Sequence, residues 1–353
     1  MCSLPVDTDA RIDLLISRMK KFIQKESFSS IQNFVIGALV SNIEEDLHRF
    51  NVKFDTWYSE RSLIQSGALA KMIARLKVAG FLYQREGAWW FRSADLGDQK
   101  DRVVIRANGT HTYFATDIAY HMAKLDRGFD QLINVWGSDH HGYIGRMKAA
   151  IAALDKNPDD LTVLTVQFAA LYRDGEKVSM STRTGEFVTL RELYEEVGID
   201  AARFFYVLRK PEQHMDFDLD LAKTQSNDNP VYYVQYAHAR ICSVFRQLED
   251  RNISVNLDQA DTGLLREPQE LNLLRLLSSY PEIVSQAARN YEPHQIAYIT
   301  RDLANDIHTY YNAYPFIASE EPLRLARLSL IDATRQVLEN ALSLLGVAAP
   351  TSM

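Results

Sequence analysis

The feature that most constrains the fold is a change in the hydrophobic pattern near residue 224. Between about 100 and 223, short apolar and β-branched runs (VVIRA, LINVWG, LTVLTVQFAALY) alternate with helix-like stretches. From residue 224 onwards, apolar positions repeat at the spacing of amphipathic helices. Alternating strands and helices predict a parallel, doubly wound sheet, and the four to six later helices predict a second, all-α domain.

The residues before 100 have a different character. The stretches IDLLISRMKKFIQ, IQNFVIGALVSNIEEDLHRF and ALAKMIARLKVAGFLY predict helices, the last ending near Gly80. GAWWF predicts a strand or a buried lid piece, with Trp89 and Trp90 packed in the core. A length of 353 residues fits two or three domains, and we expect three parts: 1–100, 101–223 and 224–353.

Composition excludes several classes of protein. A hydrophobic content of 46% excludes general disorder, and we find neither a membrane-spanning apolar run nor a secretory signal. Cys2 and Cys242 are far apart, which favours a cytoplasmic protein without a disulfide framework. Ten arginines, no lysine and fifteen acidic residues give the part from 224 a net charge of −5. This charge disfavours broad, nonspecific binding to DNA or RNA.

The most distinctive local motif is WGSDHHGYIGR at 136–146, directly after the apolar run LINV. Gly137 permits close backbone approach at a strand end, and Asp139 can accept hydrogen bonds from a ribose. His140 and His141 add donors, and the following helix N-terminus favours an anion. An adjacent histidine pair alone is too few ligands for a metal, so we expect no metal site. The alternative is an N-capping aspartate beside solvated histidines.

Two further segments are candidates for ligand contact. In DGEKVSMSTRTGEF (174–187), backbone amides, Ser181 and Thr182 can bind phosphate oxygens, and Arg183 can neutralise developing charge. A surface hairpin is the alternative. In GTHTYFATDIAYH (109–121), Tyr113 and Asp117 share one face if the segment is helical. That pair suits a cationic ligand such as a guanidinium, whereas a helix-capping or surface aspartate is the alternative.

Aromatic and arginine side chains crowd two of the later helices. The members are Tyr232, Tyr233, Tyr236, His238 and Arg240 on one helix, and Tyr310, Tyr311 and Asn312 on another. Aromatic rings beside arginines can stack unpaired bases. The alternative is a core role with the longer side chains extending to the surface.

Taken in order, these motifs resemble one family. The stretches NVKFDTWYSERSL, GDQKDRVVIRANGTHTYFATDIAYH, RGFDQLINVWGSDHHGY, MSTRTGEFVTLRELYEEVGIDAARFF, DFDLDLAKTQSNDNPVYYVQYAHAR and LSLLGVAAP are similar to arginine-specific class I aminoacyl-tRNA synthetases. The resemblance runs from about residue 45 to the last residue. It implies a partial Rossmann-like catalytic domain, with 1–100 as its connective part, followed by a helical-bundle anticodon-binding domain at 224–353.

The resemblance also implies an activity and its residues. The family forms arginyl-adenylate from L-arginine and ATP, with Mg²⁺ accompanying the ATP, and then esterifies tRNA-Arg. MSTR (Met180, Ser181, Thr182, Arg183) stands at the family's catalytic KMSKR-type loop, with Thr182 replacing the usual second lysine. The remaining implied contacts are Tyr113, Asp117 and His141 for arginine, Gly137, Asp139 and His140 for ATP, and Tyr236, Arg240, Tyr310 and Asn312 for tRNA.

One family motif is missing from the sequence. Class I synthetases carry an HxGH signature that binds ATP, and none of the nine histidines begins such a pattern: His48, His111, His121, His140, His141, His214, His238, His294 and His308. We therefore expect the chain to correspond to the C-terminal three-fifths of an enzyme and to charge tRNA very poorly alone. A separate N-terminal half is then an expected partner.

Two other hypotheses remain open at this stage. The chain could be a non-catalytic tRNA-binding or regulatory fragment that uses only its helical domain. It could also be a different class I synthetase, such as the cysteine enzyme, but that enzyme is expected to carry zinc-binding cysteines, and only two cysteines are present.

Overall fold

The computed structural model describes residues 8–23, 25–179, 187–317 and 319–353. Its helices are α1 (Thr8–Phe22), α2 (Lys25–Arg49), α3 (Glu60–Gln65), α4 (Ala68–Val78), α5 (Tyr113–Leu125), α6 (Ile144–Ala153), α7 (Leu190–Val197), α8 (Ile199–Val207), α9 (Leu219–Lys223), α10 (Pro230–Asp250), α11 (Pro268–Asn290), α12 (His294–Ala313) and α13 (Glu321–Leu345). Its strands are β1 (Leu82–Arg85), β2 (Ala88–Phe91), β3 (Arg102–Ile105), β4 (Leu132–Gly137), β5 (Leu161–Val166), β6 (Ala169–Arg173), β7 (Glu176–Lys177) and β8 (Met215–Asp218). Among the described residues, none of these helices is both long enough and apolar enough to cross a bilayer.

The chain forms two compact units, of which the smaller comprises Met1–Asp55 and Val188–Glu195. Asp46 on α2 connects its segments, because it accepts hydrogen bonds from Arg191 Nε at 2.6 Å and from the Tyr194 hydroxyl at 3.0 Å. The bond from Arg191 is the main reason that the pKa of Asp46 is lowered. Phe22 and Phe34 are 90% and 77% exposed, so this unit leaves large apolar side chains uncovered.

The larger unit begins with an antiparallel meander in the order β1-β2-β3. Helix α4 precedes it and ends beside Gly80, whose φ of +78° is an ordinary glycine conformation at a helix end. GAWWF is a strand, as the pattern predicts, and Trp89 packs against the core with Lys77 Nζ 3.7 Å from its ring centroid. VVIRA contributes β3 to this antiparallel sheet. The prediction that it belongs to the parallel sheet is therefore wrong.

Two parallel strand pairs follow, β4 with β5 and β6 with β8. The run LTVLTVQFAALY divides between β5 and β6, which lie in different sheets. Side chains on β4 alternate, because Leu132 and Asn134 are buried whereas Ile133 and Val135 are 46% and 65% exposed. In the described part of the chain, β4 pairs only with β5. The face of β4 that carries Ile133 and Val135, and the edge of β4 opposite β5, are therefore open.

The hairpin after β6 shows how local sequence sets the backbone. Asp174 and Gly175 lie between β6 and β7, and both have positive φ, +52° and +76°. Two consecutive residues with positive φ make the tight turn that Asp-Gly favours between antiparallel strands. This turn pairs β7 antiparallel with β6.

The part from 224 forms a bundle of α10, α11, α12 and α13, which confirms the predicted all-α domain. The sequence DAAR (200–203) on α8 contacts this bundle. Asp200 accepts hydrogen bonds from Gln235 and from the Ala348 amide. Arg203 Nε donates to the Leu345 carbonyl at 3.0 Å. Within the bundle, the buried Glu270 carboxylate accepts from Arg327 Nε and from the Tyr310 hydroxyl, each at 2.8 Å.

Candidate active site

Helix α5 presents the two residues that the sequence suggested for a cationic ligand. Thr112 caps the helix, and its hydroxyl also donates to the Val103 carbonyl at 2.9 Å. Tyr113 is the first helical residue and is 80% exposed, while Asp117 lies one turn later and is half-buried. Tyr113 and Glu60 both line a cavity of about 630 Å³. The cavity is large enough for a small-molecule substrate.

Asp117 is held by a residue that the sequence analysis did not select. The Tyr143 hydroxyl donates a hydrogen bond to Asp117 Oδ2 at 2.6 Å. Burial raises the pKa of Asp117, and the negative charge of Glu60 adds to the rise, whereas the bond from Tyr143 lowers it. Burial and the same bond raise the pKa of Tyr143, so its hydroxyl remains protonated and donates. The result is a constrained carboxylate that a cation would stabilise.

A polar network lies directly behind Asp117. His121 Nδ1 donates to the Asp117 carbonyl at 2.8 Å, and His121 Nε2 accepts from Asn134 Nδ2 at 2.8 Å. Lys124 Nζ donates to Asn134 Oδ1 at 2.9 Å. Burial lowers the pKa of His121 to about 4, so the ring is neutral at physiological pH. These bonds fix the tautomer of His121 and connect α5 to β4.

The GSDHH motif lies where the sequence places it, at the carboxyl end of β4. Residues Ser138–Tyr143 form a short 3₁₀ helix that leads into α6. Asp139, His140 and His141 are exposed, and His140 Nε2 lies 3.6 Å from Asp139 Oδ2. A Cβ at Gly137 would approach Asp139 Oδ1 to 2.5 Å. Glycine at 137 therefore leaves room for this carboxylate at the strand end, where open α/β sheets bind ligands.

The segment with the predicted phosphate contacts follows β7 in the sequence. Met180, Ser181, Thr182 and Arg183 lie outside the described residues. In the described ranges, no group of three or more His, Cys, Asp or Glu side chains could hold a metal ion.

A second candidate surface lies on α10 and α12. Arg240 donates from Nη1 to His308 Nδ1 at 3.0 Å and from Nη2 to Asn312 Oδ1 at 3.1 Å. Its guanidinium carbon lies 5.2 Å from the ring centroid of Tyr236 and 4.2 Å from that of Tyr311. His308 Nε2 donates to the Tyr233 carbonyl at 3.0 Å, and burial lowers the pKa of His308, so the ring is neutral. The result is a preorganised aromatic and guanidinium surface.

Tyr310 does not belong to that surface. Its side chain is 0% exposed, and its ring packs against Tyr314 and Phe316. The hydroxyl is used by Glu270. The predicted tRNA contact at Tyr310 is therefore a core position, because consecutive residues of a helix point in different directions and Tyr310 points inward.

Comparisons with known proteins agree with this geometry. Residues 17–242 match the sequence model of "tRNA synthetases class I (R), catalytic domain", and residues 234–353 match that of the "DALR anticodon binding domain". The chain belongs to the arginine-specific class I tRNA synthetase family. The order of a class I catalytic domain and a DALR domain confirms the predicted fold class.

Family members of known sequence are similar over nearly the whole chain. Arginine–tRNA ligases from Hydrogenovibrio crunogenus and Legionella pneumophila (strain Corby) are 56% and 53% identical over 349 residues. These matches cover 98% of this chain but only 59% and 60% of the relatives. The chain thus spans about three-fifths of the length of the curated relatives it matches.

A solved structure of the same family has the same fold. A Campylobacter jejuni protein assigned as an arginyl-tRNA synthetase superposes with a TM-score of 0.85 at 30% identity. The match covers 100% of this chain and 78% of that one.

Sequence reasoning missed several residues that surround Asp117. Tyr143, His121, Asn134, Lys124 and Glu60 were not selected. Asn134 carried a usable signal, because an amide inside the apolar run LINV must find hydrogen-bond partners when buried. Tyr143 lies 26 residues from Asp117 in sequence, so no helical or strand spacing connects the pair.

Proposed function

We propose that this chain provides the arginine site, part of the ATP site and the anticodon-binding surface of an arginine–tRNA ligase. In this reaction the arginine carboxylate attacks the α-phosphate of ATP, releasing pyrophosphate and forming arginyl-adenylate. A hydroxyl at the tRNA-Arg 3′ end then takes the arginyl group and releases AMP. The observation that carries the proposal is the half-buried Asp117 carboxylate of α5, which accepts a hydrogen bond from Tyr143. The negative charge of Glu60 acts on Asp117, and Glu60 lines the cavity together with Tyr113.

The arginine contacts follow from charge and shape. We assign the guanidinium to Asp117, because a delocalised cation pairs best with a constrained carboxylate. Glu60 adds negative charge nearby, which supports selection of a cation. Tyr113 offers an exposed ring at the cavity, and we place His141 near the substrate because it lies in the 3₁₀ helix that ends with Tyr143.

The ATP contacts are assigned to the carboxyl end of β4 and to the loop after β7. We propose that Asp139 and His140 hydrogen-bond the ribose and base, with Gly137 allowing close approach. Met180, Ser181, Thr182 and Arg183 would contact the phosphates, and Mg²⁺ would arrive with ATP rather than in a protein cage.

The tRNA contacts are assigned to the α10 and α12 surface. Tyr236 presents a ring stacked on His308 at 5.5 Å, and Arg240 and Asn312 lie beside it. Aromatic rings with an adjacent guanidinium suit unpaired anticodon bases. The negative charge of this part of the chain argues against binding by charge alone.

We further propose that activity needs a polypeptide segment in addition to these 353 residues. The absence of an HxGH sequence, the coverage of about three-fifths of the relatives, and the open edge and face of β4 support this proposal. The partner would be an N-terminal half of the enzyme. We also propose that the chain divides into three parts at residues 100 and 223 and that it is located in the cytoplasm.

Radiolabelled arginine, ATP, magnesium and tRNA-Arg test the proposal directly. The purified chain is assayed alone and with the remaining segment of the Hydrogenovibrio crunogenus relative added in trans, using Asp117→Asn as the matched control. We expect charging near background alone, charging above background with the added segment, and none with the Asp117 variant. Robust charging by the chain alone would show that no further segment is needed.

The alternative function, a non-catalytic tRNA-binding or regulatory fragment, is favoured by the complete Tyr236–His308–Arg240 surface. It predicts specific tRNA-Arg binding with no charging, with or without the added segment. Failure to bind arginine together with retained tRNA binding would support it.

A further inference from the structure

We infer that Tyr143 is a positioning residue that holds the Asp117 carboxylate in the orientation needed to receive the guanidinium of the substrate. This inference rests on the proposed arginine site and goes beyond it, because it assigns the selectivity for a charged guanidinium to a residue that does not itself pair with the charge.

The geometry sets which part of Asp117 is available. The Tyr143 hydroxyl occupies Oδ2 at 2.6 Å, and no other side chain in the described part of the chain hydrogen-bonds this carboxylate. A carboxylate can accept about four hydrogen bonds. Oδ1 and the second lone pair of Oδ2 are therefore left for the two parallel N–H groups of a guanidinium. A carboxylate free to rotate would lose this alignment.

Tyr143 is itself fixed on three sides. Its ring meets Phe114 edge-on at 5.9 Å and Trp136 at 5.8 Å, and the Arg146 guanidinium carbon lies 4.5 Å from its centroid. Arg146 Nε is in turn 4.0 Å from Asp98 Oδ2. Phe114 is on α5, Trp136 on β4, and Arg146 on α6. The hydroxyl is thus aimed at Asp117 by three different elements.

The hydrogen bond also sets when Asp117 carries its charge. The charged and titratable groups that act on Asp117 are Glu60, which raises its pKa, and Lys124 and His140, which lower it. Burial raises the pKa more than any of them, and Tyr143 is the largest opposing influence. Loss of the hydroxyl would raise the pKa of Asp117 further. As the pH is lowered, arginine binding would then be lost at a higher pH than in the unmodified chain.

The test uses the purified full chain and calorimetric titration with arginine and with citrulline, which is nearly isosteric but uncharged. Tyr143→Phe keeps the ring and removes only the hydroxyl. Tyr120→Phe is the matched control, because it removes a hydroxyl from α5 where the ring packs on Tyr58 at 4.6 Å. We expect Tyr143→Phe to weaken arginine binding roughly tenfold and to reduce the preference over citrulline. When arginine affinity is plotted against pH, the acid limb should move to higher pH in Tyr143→Phe. Tyr120→Phe should show the same affinity and the same acid limb as the unmodified chain.

A second variant keeps the inference testable if Tyr143→Phe does not fold. 3-Fluorotyrosine at position 143 preserves the ring and makes the hydroxyl a stronger donor, so the acid limb should move to lower pH. An unchanged limb, or one that moves upward, would overturn the inference. The ¹³C signal of the Asp117 carboxyl, identified by its loss in Asp117→Asn, reports the same shift without any ligand.

The failures of the two proposals are distinguishable. If Asp117→Asn abolishes arginine binding but Tyr143→Phe binds and titrates as the unmodified chain does, the positioning role is wrong and the arginine site stands. If the unmodified chain binds no arginine, or Asp117→Asn binds it normally, the proposed site fails and the positioning role fails with it.

Discussion

Asp117 and Glu270 both accept a hydrogen bond from a tyrosine hydroxyl, but their surroundings differ. Asp117 in the catalytic part is half-buried and accepts one side-chain hydrogen bond, from Tyr143. Glu270 in the helical bundle is 0% exposed and accepts four, from Tyr310, Arg327 and the amides of Arg266 and Glu267. Burial raises the pKa of Asp117, whereas at Glu270 these bonds outweigh burial and lower the pKa.

The difference is the one expected between a ligand-binding carboxylate, the role proposed for Asp117, and a structural one. Glu270 has its charge balanced by Arg327 and its oxygens occupied, so it has little capacity left for a ligand. Asp117 is left short of partners, and an arriving cation improves its environment. Carboxylates with a raised pKa and few hydrogen-bond partners are therefore better candidates for substrate contact than carboxylates in completed networks.

Removing the cation at Glu270 should give the largest effect. Arg327→Ala leaves a buried carboxylate without its charge partner, and such a loss costs about 3–5 kcal/mol of unfolding free energy. Urea unfolding followed by circular dichroism measures it. The matched control is Arg335→Ala on the same helix, whose pairs with Asp332 and Glu339 are more exposed and should contribute about 1 kcal/mol or less. Equal losses in the two variants would mean that Glu270 is not a structural centre.

Asp117→Asn should differ from Arg327→Ala in both respects. It should greatly weaken arginine binding and slightly increase the free energy of unfolding. Removing one partner of a desolvated charge pair costs about 2–5 kcal/mol of binding free energy, which is about thirtyfold or more in arginine affinity. Stability at neutral pH should rise, because a raised pKa in the folded state means that folding disfavours the ionised form.

The sign of this effect gives a pH test. The ionised Asp117 destabilises the fold above its folded pKa. This cost decreases as the pH falls below that pKa and is gone below the lower pKa of the unfolded chain. The Asn variant should therefore unfold at a higher temperature than the unmodified chain at neutral pH. The difference in unfolding temperature should become smaller in acid. A variant that is less stable at neutral pH would place Asp117 among the structural carboxylates, with Glu270.

The sequence predicted what depends on local pattern. Helical spacing gave α4 and the four helices of the bundle, and the strand–motif–helix order placed Asp139 at the end of β4. The spacing of Tyr113 and Asp117 predicted one shared face if their segment is helical, and both lie on α5. Each of these features depends on residues that are close in sequence. The geometry of helices and strands gives such residues a characteristic spacing.

The sequence could not show what depends on distant contacts. VVIRA has the same apolar character in an antiparallel meander as in a parallel sheet, so its partner strand could not be deduced. Tyr143 and Asp117 meet only through tertiary structure. The burial of Tyr310 was within reach, because Leu303, Ile307 and Tyr310 follow a helical period and are all buried. Tyr310 was instead grouped with its neighbours Tyr311 and Asn312 on the predicted tRNA-facing side of the helix, and that grouping is wrong for Tyr310.

The proposed tRNA surface offers a similar comparison, between the partly exposed ring of Tyr236 and the buried ring of Tyr310. Tyr236→Ala should weaken tRNA-Arg binding by about 1–3 kcal/mol, the usual contribution of a stacked base. Arg240→Ala should also weaken it, whereas Arg246→Ala removes the same charge from α10 and should have little effect, because its side chain bonds the Thr351 carbonyl. Filter binding at fixed salt measures all three. Equal loss in the two arginine variants would indicate nonspecific attraction to phosphate.

The smallest expected effect comes from Tyr310→Phe. The change removes one hydrogen bond from Glu270 but leaves Arg327 and two backbone amides in place, so it should cost about 1 kcal/mol of unfolding free energy. Affinity for tRNA-Arg should not change, because the ring is 0% exposed. Urea unfolding and filter binding on the same preparation separate the two readouts. The same hydroxyl deletion at Tyr143 should act on arginine binding instead, because Asp117 has no comparable set of remaining donors among the described residues. A loss of tRNA affinity in Tyr310→Phe without a loss of stability would return Tyr310 to the binding surface.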